Sequence, residues 1–375
     1  MILMNTDIKN FNDFAKDKEI ICFGSGKYLD NFFKHCPLIN QIKFIVDNNQ
    51  SKWNTIRKIS DQQKKILSPE NLPLNLNKDS IILITAGVIG VEIYHQLENM
   101  QLPKDQKIFW SAFILNELES WKFLFSKPLP NDLKISTEPL IPKIIHYCWV
   151  GKNPIPKEYQ NYIEGWRKLC PDYEIICWNE KNYDIEKHSY MKQAYEAEKW
   201  SFVTDYMRKD IIYQYGGIYL DTDVEMIKRP DELLYQDGFC GIEFAADNSS
   251  FKVNVGLGFG ARKKFPLIKK MCEVYDGEDF NFRERKFMKI GPDYETEIIE
   301  ESGIKITGDY QIISNMTVYP VEVLSGITYF SRESFVTEKT FTLHHYANSW
   351  KDKIRREREI EARRLYKLCN KVGDL

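Results

Sequence analysis

The chain has 375 residues, long enough for two or three domains with sizeable cores. Its 52 basic and 54 acidic residues leave a net charge of −2, so no global field points to nucleic acid. Eight cysteines carry no C-x-x-C spacing and no Cys/His cluster, which argues against a zinc ribbon and suits a reducing compartment. The start, MILMNTDIKN, lacks the basic-then-apolar order of a signal peptide, and no run reaches about 20 apolar residues. The expected location is the cytoplasm.

Residues 19–26, EIICFGSG, predict a strand running into a Gly-x-Gly turn. A helix follows in KYLDNFFKHC, with Leu29, Phe32 and Phe33 at helical spacing. IKFIVDNN predicts a second strand from Ile42, SIILITAG (80–87) a third, and residues 90–99 a helix. That order predicts a small parallel, Rossmann-like α/β domain over residues 1–125. Gly24 and Gly26 are present, but Leu29 stands where a dinucleotide fingerprint wants a third Gly or Ala. Asp47 occupies the place of a ribose-binding acid. With an incomplete fingerprint, the expectation is an accessory domain that packs on its neighbour or recruits a partner.

Residues 126–140, with Pro128, Pro130 and Pro139, read as a linker. A second α/β domain is expected over 141–350. It opens at KIIHYCWVG (143–151), an apolar strand ending at Gly151, and continues with a helix at 157–169 and a strand at YEIICW (173–178). One or two helices follow over 188–215, then GIYLDTDVEM as a strand ending in acids. FCGIEFA (239–245) and VGLGFGA (255–261) predict further strands, and FPLIKKMCEVY (265–275) a helix. The tail, 351–375, predicts a charged helix with Lys351, Lys353, Arg355, Arg356, Arg358, Arg363 and Arg364 among acids. A solvated amphipathic helix is the plain expectation, and peripheral docking on an anionic membrane the sharper one.

Asp221 and Asp223 raise the chemical question. If the strand runs through them, they share one face and Thr222 takes the other. Two carboxylates so close repel unless a proton or a divalent cation intervenes, and hard oxygen ligands suit Mg²⁺ or Mn²⁺ carrying phosphate oxygens. By itself the tripeptide also fits a solvated strand end. Upstream, Ser201, Asp205 and Arg208 share one helix face, with Val203, Met207 and Ile211 opposite. Asp can accept from sugar hydroxyls, while Arg donates to hydroxyls or phosphate.

The run S-F-V-T-D-Y-M-R-x₇-G-G-I-Y-L-D-T-D-V resembles the signature of glycosyltransferase family 32, the sugar transferases with a DxD motif, which are related to the clostridial glucosylating toxins. IPKIIHYCWVG (141–151), KVNVGLGFGARKKFPLI (252–268), Gly291-Pro292 and FTLHHYANSW (341–350) resemble further landmarks of that family in the same order. The resemblance implies a GT-A-type, Rossmann-like nucleotide-sugar-binding catalytic domain behind the smaller α/β domain. It implies Asp223 as main metal ligand, and Asp221 between ribose and metal. Tyr219 lies beside them, and Asp205 and Arg208 hold the donor sugar. Trp149, followed by Val150, would stack on the base, a flat apolar plate. Ser201 and Asn254 would contact sugar or acceptor, and His344, His345, Ser349 and Trp350 would complete the metal or diphosphate site. The toxins carry a different closing loop, so the last two roles transfer less directly.

The implied activity is a metal-dependent, retaining transfer of a hexose from a UDP- or GDP-sugar, with Mn²⁺ or Mg²⁺ as cofactor. The expected acceptor is a glycan or lipid-linked glycan of a capsule or lipopolysaccharide. Two alternatives stand beside it. One is a toxin-like transferase acting on a host protein; the other is a sugar-nucleotide oxidoreductase working through the first domain, although no Tyr-x-x-x-Lys base pattern accompanies it.

Overall fold

Ile20, Ile21, Cys22 and Phe23 are all shielded from water. A strand buried on both faces belongs inside a sheet covered by helices. The computed structural model describes residues 1–375 except 125–127, 246–249, 281–288, 348–350 and 373–375, and places them so. Seven strands precede the linker: β1 (Ile2–Asn5), β2 (Glu19–Phe23), β3 (Ile42–Val46), β4 (Ile56–Ile59), β5 (Gln62–Leu67), β6 (Ser80–Ile84) and β7 (Lys107–Trp110). They lie in the order β1-β7-β6-β2-β3-β5-β4, parallel apart from the β4–β5 hairpin.

The turn after β2 is built by packing. Gly24 has φ +120°, and a Cβ there would lie 2.5 Å from the carbonyl oxygen of Thr85, beyond the end of β6. Asp47 accepts from the Ser25 backbone N–H at 3.0 Å, from the Ser25 hydroxyl, and from Lys52 at 3.2 Å. Its carboxylate is committed to holding the turn, and Leu29 is buried in the core.

The second sheet begins with β8 (Ile144–Cys148), β9 (Glu174–Trp178) and β10 (Gly217–Tyr219). A short β11 (Val224–Met226) leaves it, and then come β12 (Gly238–Ala245), β13 (Ser250–Val253), β14 (Phe259–Ala261), β15 (Gln311–Ile313) and β16 (Met316–Tyr319). The order is β15-β16-β12-β14-β10-β8-β9, with β13 against β12. β8, β9 and β10 are parallel, and β14 is antiparallel to both of its neighbours. β17 (Thr342–His344) pairs antiparallel with β11. The molecule is therefore mixed α/β: the first sheet is parallel apart from its β4–β5 hairpin, and the second is mixed, with a parallel β10-β8-β9 group beside the antiparallel β14.

Three expectations change. The stretch expected as a strand at 255–261 starts as a 3₁₀ turn, Val255–Leu257, because Asn254 caps it by accepting from the Gly256 N–H at 2.8 Å. The helix Trp200–Tyr215 is not a surface amphipath: Asp205, Arg208, Lys209 and Asp210 are buried along with Val203, Met207 and Ile211. It stops at Gly216, whose φ of 70° a side chain would resist. The tail is a helix only over Lys353–Leu368 and then becomes β18 (Asn370–Lys371), parallel to β1 at the edge of the first sheet.

The two halves of the chain touch through aromatic pairs: Phe113 meets Phe330 edge-on at 5.2 Å, and Trp121 meets Phe244 of β12 at 6.4 Å. In the proline-rich stretch, the Ile135 and Ser136 N–H groups both donate to the Tyr235 carbonyl, so the chain lies along the second sheet's half. Among the described residues no helix is long and apolar enough to cross a membrane.

Candidate active site

β8 and β10 run parallel and end side by side, and a cavity of about 450 Å³ opens beyond their carboxyl ends, the usual ligand position in an open α/β sheet. Trp149, Val150, Ser201, Asp205, Arg208, Tyr219, Asp221, Asp223, Asn254 and His344 all line it. These residues come from five separate segments, so the fold, not proximity in sequence, brings them together.

Asp221 and Asp223 do not sit on a strand. β10 ends at Tyr219, residues 222–223 form a turn, and the Val224 N–H donates to the Asp221 carbonyl at 3.1 Å. Strand alternation therefore does not place the acids. The turn does, and it also brings Thr222 to the cavity.

Arg208 holds the first acid. Its Nη1 lies 3.3 and 3.2 Å from the two carboxylate oxygens of Asp221, and its Nη2 donates to Asp205. The Tyr219 hydroxyl donates to Asp221 at 3.0 Å, and the Tyr219 ring lies under the guanidinium at 5.6 Å. Burial pushes the Asp221 carboxyl above its ordinary value, with Arg208 opposing and Asp223 adding to the rise. Gly256 leaves room for this carboxylate: a Cβ there would stand 2.4 Å from Asp221 Oδ2. Gly291 does the same for Asp205, at 2.9 Å from Oδ1.

Asp223 is held differently. It accepts from the Ala347 N–H at 2.8 Å and faces His344 Nε2 at 3.5 Å. Burial would raise its carboxyl, but the His344 imidazole and the Ala347 N–H outweigh that and hold it at about 2. His344 responds in the opposite sense: burial lowers its imidazole, yet Asp223 raises it above the ordinary value. Its Nδ1 is buried with no hydrogen-bond partner among the described residues.

His345 is not brought to the cavity. It follows the last residue of β17, points the other way, bonds Glu225 Oε2 at 2.9 Å and stacks on Tyr162 at 4.8 Å. Of the two histidines expected at the metal, His344 lines the cavity and His345 lies with Glu225 and Tyr162 outside its lining. Ser349 and Trp350 lie outside the described residues. Trp149 is half-buried rather than packed in the core, and its Nε1–H donates to the Asn153 carbonyl at 2.7 Å. Asn254 splits its amide, accepting from Gly256 and donating to Glu243 Oε2 at 2.9 Å.

Asp221 keeps 31 % of its side chain exposed and Asp223 keeps 12 %, so both offer carboxylate surface to a ligand. Among the described residues no group of three or more His, Cys, Asp or Glu side chains converges as a ready-made metal cage. Two carboxylates without a cage fit the binding mode of Mg²⁺ or Mn²⁺, which take one or two acids and fill the remaining positions with water and phosphate oxygens.

Sequence reasoning missed several cavity residues. Tyr159, Glu243, Lys252, Tyr329, Lys351 and Arg355 line it as well. Lys351 directly follows the closing HHYANSW stretch, but the charges after it make it read as the start of a solvated tail.

Residues 156–240 match the model of a glycosyltransferase sugar-binding region containing a DXD motif. The chain is 33 % identical over 105 residues to inositol phosphoceramide mannosyltransferase 2 of Schizosaccharomyces pombe, covering 27 % of this chain and 30 % of that one. It is 27 % identical over 130 residues to subversion of eukaryotic traffic protein A of Legionella pneumophila, covering 27 % of this chain and 20 % of the other. The similarity thus spans less than a third of these relatives' length. Among solved structures, the PaToxG glycosyltransferase aligns at 21 % identity and a TM-score of 0.35, over 44 % of this chain and 70 % of that one. The segment that carries the buried helix, Asp205, Arg208 and both turn acids is the one that matches the DXD sugar-binding region of glycosyltransferases.

Proposed function

We propose that this chain is a metal-dependent glycosyltransferase moving a hexose from a nucleoside-diphosphate sugar to a glycan or lipid-linked glycan acceptor. The observation that carries the reading is one cavity where an Asp205–Arg208–Asp221 chain meets an Asp223–His344 pair beneath a half-buried tryptophan. The matched DXD region supports it. Mannose is the first sugar to test, because relatives 33 % identical over the shared stretch are named mannosyltransferases. A surface polysaccharide is the acceptor proposed here.

Each residue has a role in this reading. Asp221 and Asp223 would hold Mg²⁺ or Mn²⁺, which when bound supplies positive charge against the diphosphate. Asp223 stays ionised at any physiological pH because His344 and the Ala347 N–H stabilise its anion. Arg208 keeps Asp205 and Asp221 apart and correctly aimed, and Asp205 has oxygen surface for sugar hydroxyls. Trp149 offers a flat apolar face to the base. Asp205 is tied to Arg208 and Glu243 to Asn254, so neither is set up as a nucleophile. Retention by attack of the acceptor on the same face as the leaving phosphate is therefore the preferred course, and a trapped glycosyl–enzyme adduct would contradict it. The oxidoreductase alternative finds little support, since Asp47 is consumed by Ser25 and Lys52.

Calorimetric titration of GDP and UDP, with and without Mn²⁺, tests the donor site. Binding of one nucleotide that weakens at least tenfold without the cation is expected. Equal affinity with and without it would sink the metal's role, and no binding of either nucleotide would sink the donor site.

A further inference from the structure

Lys209 is a charged side chain with no access to water. It is 0 % exposed and faces the carboxylate of Glu295, itself 1 % exposed, at 2.8 Å. Its Nζ also donates to the Asp205 carbonyl at 2.8 Å and to the Tyr275 hydroxyl at 3.2 Å. Neither Lys209 nor Glu295 lines the cavity. Both stand behind it: Lys209 follows Arg208 on the helix Trp200–Tyr215, and Glu295 lies one turn into the helix Gly291–Glu300. Taking two charges out of water is expensive, and an apolar pair of similar volume is often at least as stable. Stability alone therefore does not account for this pair.

What the pair holds is visible at Val255. Glu295 Oε2 accepts from the Val255 N–H at 2.9 Å. Val255 opens the 3₁₀ turn Val255–Leu257, whose Gly256 packs against Asp221 and whose Gly256 carbonyl accepts from the Asp221 N–H at 3.3 Å. At its start, the helix that carries Glu295 sets Gly291 against Asp205. A Cβ at Gly291 would stand 2.9 Å from Oδ1 of Asp205 and 3.1 Å from Oε1 of Glu295. One carboxylate thus joins the helix bearing Asp205 and Arg208, the turn that seats Asp221, and the helix that opens with Gly291. Other ties dock this last helix without Glu295. Thr296 Oγ1 accepts from the Val253 N–H at 3.0 Å, and Asp293 pairs with Lys252. Glu295 extends that clamp to the turn.

We propose that Lys209 and Glu295 are a positioning pair for the donor site: Glu295 fixes the Val255–Leu257 turn so that Asp221 meets the cation, and Lys209 supplies the counter-charge that lets Glu295 be buried there. The inference rests on the donor reading above, because it takes Asp221 as a contact of Mg²⁺ or Mn²⁺ bound with a nucleotide. The pair touches no substrate and contributes no group to the transfer. It sets how far the acid held by Arg208 stands from the wall formed by Asn254 and Gly291. Such distances matter, since a displacement of about 1 Å at a reacting site costs about a hundredfold.

The test uses the full chain and two double variants, because either single change leaves one buried charge unmatched and risks the fold. Lys209→Met/Glu295→Gln removes both charges and keeps a side-chain oxygen for the Val255 N–H. Lys209→Met/Glu295→Met removes the charges and that oxygen. Each is titrated with GDP and UDP, with and without Mn²⁺, while hydrogen exchange of the Val255 amide is followed. In the double methionine variant this amide should exchange faster. The gain in nucleotide affinity from Mn²⁺ should fall about tenfold, with metal-free affinity within about twofold of wild type. The glutamine variant should keep the wild-type values of all three. A third variant, Val255→Pro, removes the donor and leaves the pair intact, at a site where the preceding Asn254 is already extended (φ −137°, ψ 105°). It should lose the Mn²⁺ gain as the double methionine variant does, and a wild-type gain there would overturn the proposal. Identical behaviour of the two double variants would also overturn it. So would a fall in metal-free affinity in step with the Mn²⁺ gain, the mark of a pocket loosened as a whole. Failure of the donor reading has a different signature, namely no binding of either nucleotide by wild type.

Discussion

Arg208 stands between two carboxylates with 8 % of its side chain exposed. Removing it leaves Asp205 and Asp221 as uncompensated neighbours inside the protein. Arg208→Met should lower stability by about 3–5 kcal/mol, read from denaturant unfolding. A loss below about 1 kcal/mol would show that water reaches the acids and that the pair contributes little. Gly256→Ala is a finer probe. Its Cβ would meet Asp221 Oδ2 at 2.4 Å, so the carboxylate must turn away. Mn²⁺-dependent nucleotide binding should fall by about tenfold or more while circular dichroism stays unchanged. Retained binding would mean that Asp221 is not a contact of the cation.

At the scale of elements, β8 and β10 are locked together by a buried neutral histidine. His146 Nδ1 accepts from the Trp178 indole N–H at 3.0 Å, and its Nε2–H donates to the Gly216 carbonyl at 2.8 Å. Only the Nε2–H tautomer satisfies both bonds. Burial lowers its pKa from 6.5 to about 4, against the weaker upward pull of the Gly216 carbonyl. The unfolded chain therefore binds a proton between these values that the folded chain refuses. Stability from this group is complete above pH 6.5 and drains away as pH falls toward 4, by about 3 kcal/mol. Thermal melts of wild type and His146→Gln over that range should converge as pH falls. Parallel curves would contradict the assignment. The same residue shows what sequence can and cannot reveal. The apolar run KIIHYCWVG marks β8 because its side chains are short-range evidence, but the partner of His146 is Trp178 on another strand. The DTD acids read as strand positions in the sequence because nothing local signals that β10 stops at Tyr219. That stop is set by β11 pairing with β17, more than a hundred residues away. The face of His344 against His345 was undecidable for the same reason.

On the scale of the whole molecule, the tail ties the site to the first sheet. It begins at the cavity with Lys351, runs as a helix over Lys353–Leu368 and ends as β18 beside β1. Its sequence is so charged that it reads as a solvated helix, yet Glu359, Ala362 and Leu365 are buried against the body. Charge density hid the packing face, because three buried positions in a 16-residue helix leave little apolar signal. A chain ending at Leu368 loses β18 and the Lys371–Glu117 pair at 2.6 Å. Its melting temperature should drop by about 2–4 °C for each kcal/mol removed, with nucleotide affinity unchanged. A loss of nucleotide affinity would instead show that the first sheet sets the shape of the cavity.

The central claim is that the DXD turn serves transfer from a nucleotide sugar. Its most direct test is the release of nucleoside diphosphate from a panel that includes GDP-mannose and UDP-hexoses, in Mn²⁺, with glycan and lipid-linked glycan acceptors. Wild type and Asp223→Ala would be compared side by side. The account predicts release from one donor that requires both cation and acceptor and falls by about 10²–10³ in the variant. Turnover that survives Asp223→Ala undiminished would contradict it.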